Sequence, residues 1–184
     1  MILWILFALF LFIVIPIIYI NKIIVLSNRI DNAWSQIDVQ LKKRADLVPN
    51  LVSTVKGYMK HERKVIEMVA KAREEMMKAG GDLKSMAKAE KQLSAALKTI
   101  FALAENYPKL KANENFKLLQ EQLESIENKV AYARQFYNDS VLEYNNMVTT
   151  IPGVWFVGFT GKPKTREYFE VQEIERKPVK VDFE

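Results

Sequence analysis

No cysteine occurs in the 184 residues, and there is a single histidine, His61. Disulfide scaffolding is therefore excluded, and a thiolate or multi-histidine metal centre lacks the ligands to form. Glycine and proline are scarce, six of each, so long stretches carry no helix breaker. No charged side chain precedes Lys22. The net charge is +5 and the pI about 9.2. Acidic residues nevertheless alternate with basic ones, and no block of like charges forms a nucleic-acid stripe. No nucleophile–base pair, P-loop or Gly-rich phosphate cradle is present, and Gly80-Gly81 reads as a turn. These absences predict a chain that is not an enzyme, with no cofactor, no metal and no nucleic-acid partner.

What is present begins with an apolar run. Met1 to Leu26 is nearly all Ile, Leu, Phe, Val, Trp, Met or Ala. Its uncharged part, Met1 to Ile20, spans roughly 30 Å as a helix, which is the hydrocarbon thickness of a bilayer. Pro16 predicts a local kink. No Lys or Arg precedes the run and no Ala-x-Ala pattern follows it, so a retained anchor is favoured over a cleaved signal peptide. Lys22, Arg29, Lys42, Lys43 and Arg44 follow the run. That bias predicts a single-pass cell-membrane protein, N-terminus out and C-terminal domain in the cytoplasm, with membrane lipid as one partner.

Beyond the anchor the apolar period is helical. Ile30, Trp34, Ile37, Leu41 and Val48 continue from the membrane with no Gly or Pro before Pro49. Pro49 either starts a new helix capped by Asp46 or kinks the first one. A second seam runs through Leu51, Val55, Tyr58, Val65, Val69, Ala72 and Met76. Gly57 lies inside it, which predicts a close approach by a neighbouring helix. Gly80-Gly81 stops this helix and Asp82 caps the next, Leu83 to about Asn106. Asn113 caps a last helix from about Glu114 to Val148. The predicted fold is all-α: a transmembrane helix over 1–26, an antiparallel up-and-down bundle over 27–150 with three long helices, or four if split at Pro49, and a tail over 151–184. That tail is expected to be irregular or short-stranded, with Phe169, Val171, Val179, Val181 and Phe183 extended in character.

The bundle carries a specific resemblance. Ala33-Trp34-Ser35-Gln36-Ile37-Asp38-Val39-Gln40-Leu41-Lys42-Lys43-Arg44, Asp46-Leu47-Val48-Pro49-Asn50-Leu51-Val52 and Val55-Lys56-Gly57-Tyr58 resemble the LemA family. Glu105-Asn106-Tyr107-Pro108, Ala133-Arg134, Tyr137-Asn138, Tyr144-Asn145 and Gly158-Phe159 match its later motifs. The resemblance implies an anchored, up-and-down four-helix bundle without established catalytic residues. It also implies company with membrane metallopeptidases of the HtpX kind, and it favours a scaffold or adaptor. A rigid anchored bundle able to pack side by side predicts a homo-oligomer; the alternatives are a regulatory partner of such a metallopeptidase or a membrane-shaping protein.

Two groups of side chains are candidate sites. Trp34, Gln36, Asp38 and Gln40, polar and just above the membrane, form either a solvated face or a partner contact. Trp155, Phe156 and Phe159, followed by Lys162 and Lys164, either close the core or meet a membrane surface or partner. Glu62, Arg73, Glu90, Glu105, Arg134 and Asn145 are expected to form a buried polar layer that fixes helix register. Arg73 and Arg134 close the echoing runs Val69-Ala70-Lys71-Ala72-Arg73 and Val130-Ala131-Tyr132-Ala133-Arg134.

Overall fold

The computed structural model describes residues 1–169. Helix α1, Ile2–Lys56, runs unbroken for 55 residues. Its apolar beginning is exposed, and Ile23 is the first side chain to be buried. That beginning is long and apolar enough to cross a membrane. From Ile23 onward, Leu26, Ile30, Ala33, Ile37, Leu41, Ala45, Val48, Leu51 and Val55 form one buried stripe at three- and four-residue spacing.

Five further helices and a 3-10 turn follow among the described residues. Helix α2 is Arg63–Lys78, α3 is Leu83–Ala104, and α4 is the single turn Pro108–Lys111. Helix α5, Glu114–Thr149, returns along α1 for 36 residues. The short α6, Gly153–Phe156, and a 3-10 turn, Val157–Phe159, fold back under the bundle. The fold is thus all-α and up-and-down, with α1, α2, α3 and α5 as its long elements. No strand occurs among the described residues, and Thr160 to Phe169 is irregular. The expected extended positions Val171, Val179, Val181 and Phe183 lie outside the described residues.

The second long helix begins elsewhere than at Pro49. A proline in a helix has no N–H and crowds the carbonyl four residues before it. Here that carbonyl belongs to Ala45, and Arg73 of α2 donates its Nε to it at 3.0 Å. The freed group is therefore paired, and α1 passes Pro49 without a break. The helix stops at Lys56 instead, with Gly57 as its cap. Gly57 faces open space, with nothing within 4 Å of where a Cβ would stand. The expected close neighbour is not there; Gly57 serves a chain reversal that turns Met59 fully into the core. The other predicted boundaries form as expected. Asp82 accepts from the Ser85 N–H at 2.9 Å, and Asn113 from the Phe116 N–H at 3.0 Å. Gly81 takes a φ of 95°, a conformation that favours glycine, in the α2–α3 turn.

The α2–α3 hairpin is shorter than the α1–α5 pair and covers only the half of it remote from the apolar run. The near half is covered by the strap, residues 160–169. This division positions the candidate site.

Candidate functional site

An extended segment has no backbone ladder of its own, so most of the strap's peptide groups need partners from the helices it crosses. Helix α5 supplies them from two Tyr-Asn pairs seven residues apart. Asn145 donates to the Arg166 carbonyl at 3.0 Å and accepts from the Arg166 N–H at 2.8 Å. Asn138 does the same for Phe169, at 3.1 and 2.8 Å. Tyr144 and Tyr137 donate their hydroxyls to the carbonyls of Pro163 and Glu167. The spacing is geometric. Seven helical residues rise about 10.5 Å, and three extended residues cover about 10 Å. Burial pushes both phenols up, against the nearby Arg166 guanidinium, so they remain protonated donors at neutral pH.

The strap is tied to α1 as well. Arg166 reaches Ser27 at 3.0 Å and Asp31 at 3.1 Å. Phe169 is fully buried, 6.3 Å from the Trp34 ring, with the Arg134 guanidinium 5.6 Å over its own ring. Trp34 also packs on Tyr137 at 6.0 Å.

Beyond Phe169 a buried charge cluster joins three helices. Arg44 of α1 donates to Ser94 of α3 at 2.7 Å and pairs with Glu127 of α5. Glu90 of α3 lies 3.8 Å from Arg44 and 3.6 Å from Arg134, and Ser94 donates to it at 3.2 Å. Burial raises the Glu90 carboxyl, and Glu127 adds to this, against the pull of Arg134 and Arg44. Burial also pulls the Arg44 guanidinium down, opposed by Glu127 and Glu90. The Nε atoms of Arg44 and Arg134 are buried without an acceptor. The cluster forms the floor of an open groove of about 880 Å³ between α3 and α5. Lys84, Lys88, Lys91 and Lys98 line its α3 wall. Such a cluster can fix the register of three helices, because any slip would strand a buried charge.

The expected polar layer is thus five separate arrangements. Only Glu90 and Arg134 meet. Arg73 serves the Ala45 carbonyl. Glu62 accepts from Tyr107 at 3.3 Å at the remote end of the bundle. Glu105 pairs with Lys111 on the surface. Asn145 clamps the strap, because its amide matches a peptide group better than a charge. Arg44, Glu127 and Ser94 were not among the candidates. Arg44 hides in the basic run Lys42-Lys43-Arg44, yet it falls three residues after Leu41 and four before Val48, on the buried stripe.

The membrane-proximal candidates separate too. Trp34 is half-buried under the strap. Asp38 accepts from Lys42 at 2.7 Å, and Gln36 donates to Asn32 at 2.8 Å on the outer face. Gln40 is partly covered. Arg29 pairs with Glu143 at 2.6 Å, which sets the antiparallel register of α1 and α5. In that register Gln36 and Val39 fall opposite Phe136 and Tyr132. Tyr132 is 73% exposed and Phe136 44%. Four residues apart, they share one exposed face of α5 as an aromatic ridge. Phe156 stacks on Tyr19 at 5.8 Å, whereas Trp155 and Phe159 are exposed.

This chain is similar to magnetosome proteins. Magnetosome proteins MamQ 1 and MamQ 2 of Paramagnetospirillum magneticum are each 24% identical to it over 175 residues, 82% of this chain. The chain spans 64% of the length of these relatives. Magnetosome protein MamQ of Magnetospirillum gryphiswaldense is 23% identical over 160 residues, covering 73% of this chain and 58% of its own length. The LemA family model matches residues 33–183, from Ala33 through the stripe, the charge cluster and the strap. On that match, the chain belongs to the LemA family.

Proposed function

We propose that this protein is a membrane-anchored, non-catalytic scaffold or adaptor that self-associates side by side and contacts other membrane proteins. The observation that carries this reading is the exposed aromatic ridge of Tyr132 and Phe136 on α5, with the exposed Val39 and Gln36 opposite on α1. Contact surfaces favour aromatic side chains ringed by polar ones with little charge. Helix α1 would hold the ridge at a fixed height, since its apolar beginning and its bundle stripe are one unbroken element. The Lys/Arg bias after the apolar run supports a cytoplasmic bundle in this reading.

The test is photo-cross-linking in native membranes at native abundance, from probes at Val39 and Tyr132. Cross-linked multimers or adducts to other membrane proteins are expected. Monomer alone would overturn the reading. Adducts confined to a membrane metallopeptidase would replace self-association with a regulatory role at that protease. Two glycines inserted after Asn21 should lower the cross-linking yield; undiminished yield would reduce α1 to a simple tether.

A further inference from the structure

The turn under the bundle carries an apolar surface that the scaffold reading does not use. Ile151 is 72% exposed, Val154 41%, Trp155 62% and Phe159 80%. These residues are held there by construction. The chain leaves α5 at Thr149 and reverses so tightly that a Cβ on Gly153 would stand 1.9 Å from the Met147 carbonyl oxygen. Only glycine allows that approach. The reversal brings Phe156 onto Tyr19. Tyr19 is at the end of the apolar run, one residue before Ile20 and two before Asn21. If Met1 to Ile20 fills the hydrocarbon layer, Tyr19 lies at its boundary with the headgroups. The patch around Trp155 then sits at the same depth.

Charge at this end has one sign. No Asp or Glu occurs between Glu143 and Glu167, nor before Asp31. Lys22, Lys162 and Lys164 flank the patch, and Arg166 binds Asp31. An apolar, tryptophan-bearing patch with a lysine rim fits an anionic phospholipid interface.

We propose that residues 151–159 form a second membrane contact, a foot that inserts Ile151, Trp155 and Phe159 among the lipid headgroups beside the anchor. The proposal rests on the reading that α1 spans the bilayer. Two contacts fix what one helix cannot, because a single span is free to tilt and to rotate about its axis.

The chain has no cysteine, so single-cysteine spin labels are clean reporters. The full chain is reconstituted in phosphatidylethanolamine–phosphatidylglycerol vesicles. Labels are placed at Ile151→Cys, Trp155→Cys and Phe159→Cys, with Phe10→Cys in the anchor and Tyr132→Cys on the bundle as references. Accessibility to oxygen and to a water-soluble nickel chelate gives depth. The three foot labels are expected about 5–10 Å inside the interface, with Phe10→Cys deeper and Tyr132→Cys in water. Adding Gly153→Val should return the Trp155 and Phe159 labels to water without moving Phe10→Cys. Foot labels as nickel-accessible as Tyr132→Cys, with Phe10→Cys in lipid, would overturn the foot and leave the anchor standing. Foot labels shielded from both reagents would overturn it in favour of a protein contact. An aqueous Phe10→Cys would overturn the anchor and the foot together.

Discussion

The two halves of the α1–α5 pair are covered in different ways. The remote half lies under the α2–α3 hairpin, and its α5 seam is Phe116, Leu119, Leu123 and Val130. The near half lies under an extended strap, and its α5 seam includes Tyr137, Asn138, Tyr144 and Asn145. A helix satisfies its own peptide groups, so, the Ala45 carbonyl apart, it needs no partner for them from its neighbour. An extended segment asks for hydrogen bonds. The polarity of a seam thus reports what covers it.

Mutations can break or sharpen that contrast. The largest effect belongs to the apolar half. Leu51→Ala, at a fully buried position, should cost about 2–5 kcal/mol, measured by denaturation in detergent micelles. Next comes the pairing that keeps α1 whole. Arg73→Ala strands the Ala45 carbonyl and should cost about 1–3 kcal/mol. Pro49→Ala restores an N–H to that carbonyl, so the same Arg73 substitution should cost much less in that background. Equal cost in both backgrounds would show that Arg73 acts through something else.

The strap half should respond locally. Asn145→Ala removes both hydrogen bonds to Arg166 and should cost about 1–2 kcal/mol. Amide exchange should accelerate at Arg166 and Phe169 but not at Leu93. Acceleration throughout would mean that the halves unfold as one unit. A smaller effect is pH-linked. A carboxyl raised on folding, as Glu90 is, contributes stability that is complete below its unfolded value of 4.5 and is lost as pH rises through the folded value. Relative to Glu90→Gln, the protein should therefore lose stability as pH rises above about 4.5, measured by denaturation across a pH series. Smallest of all, Glu105→Ala breaks only an exposed pair and should change stability by less than about 0.5 kcal/mol.

The contrast also explains what could be read in advance. The apolar stripe, the Asp82 and Asn113 caps and the return of α5 follow from local periodicity and capping chemistry, which act over a few residues. Pro49 could not be judged that way, because its rescue comes from Arg73, on a helix that local rules place only approximately. Gly57 lies inside a continuous apolar seam, so the local pattern predicts a close helix neighbour and gives no sign that α1 stops there. The strap has no period to detect. Its signature is on α5 instead, in the Tyr137-Asn138 and Tyr144-Asn145 repeat, whose seven-residue spacing matches three extended residues only once the strap is seen. Glu90 and Arg134 were recognisable as buried polar candidates, while Arg44 was masked by its lysine neighbours.

The unbroken α1 has a mechanical consequence. From Ile23 to Lys56 it extends about 51 Å beyond the apolar run at the helical rise. Spanning helices tilt on average by about 20°. Such a tilt carries the Gly57 end sideways by about 17 Å. Held in a bilayer by its span alone, helix α1 would act as a lever arm, turning a small change in bilayer thickness at one end into a displacement wider than a helix at the other; a second contact beside the span would damp that swing.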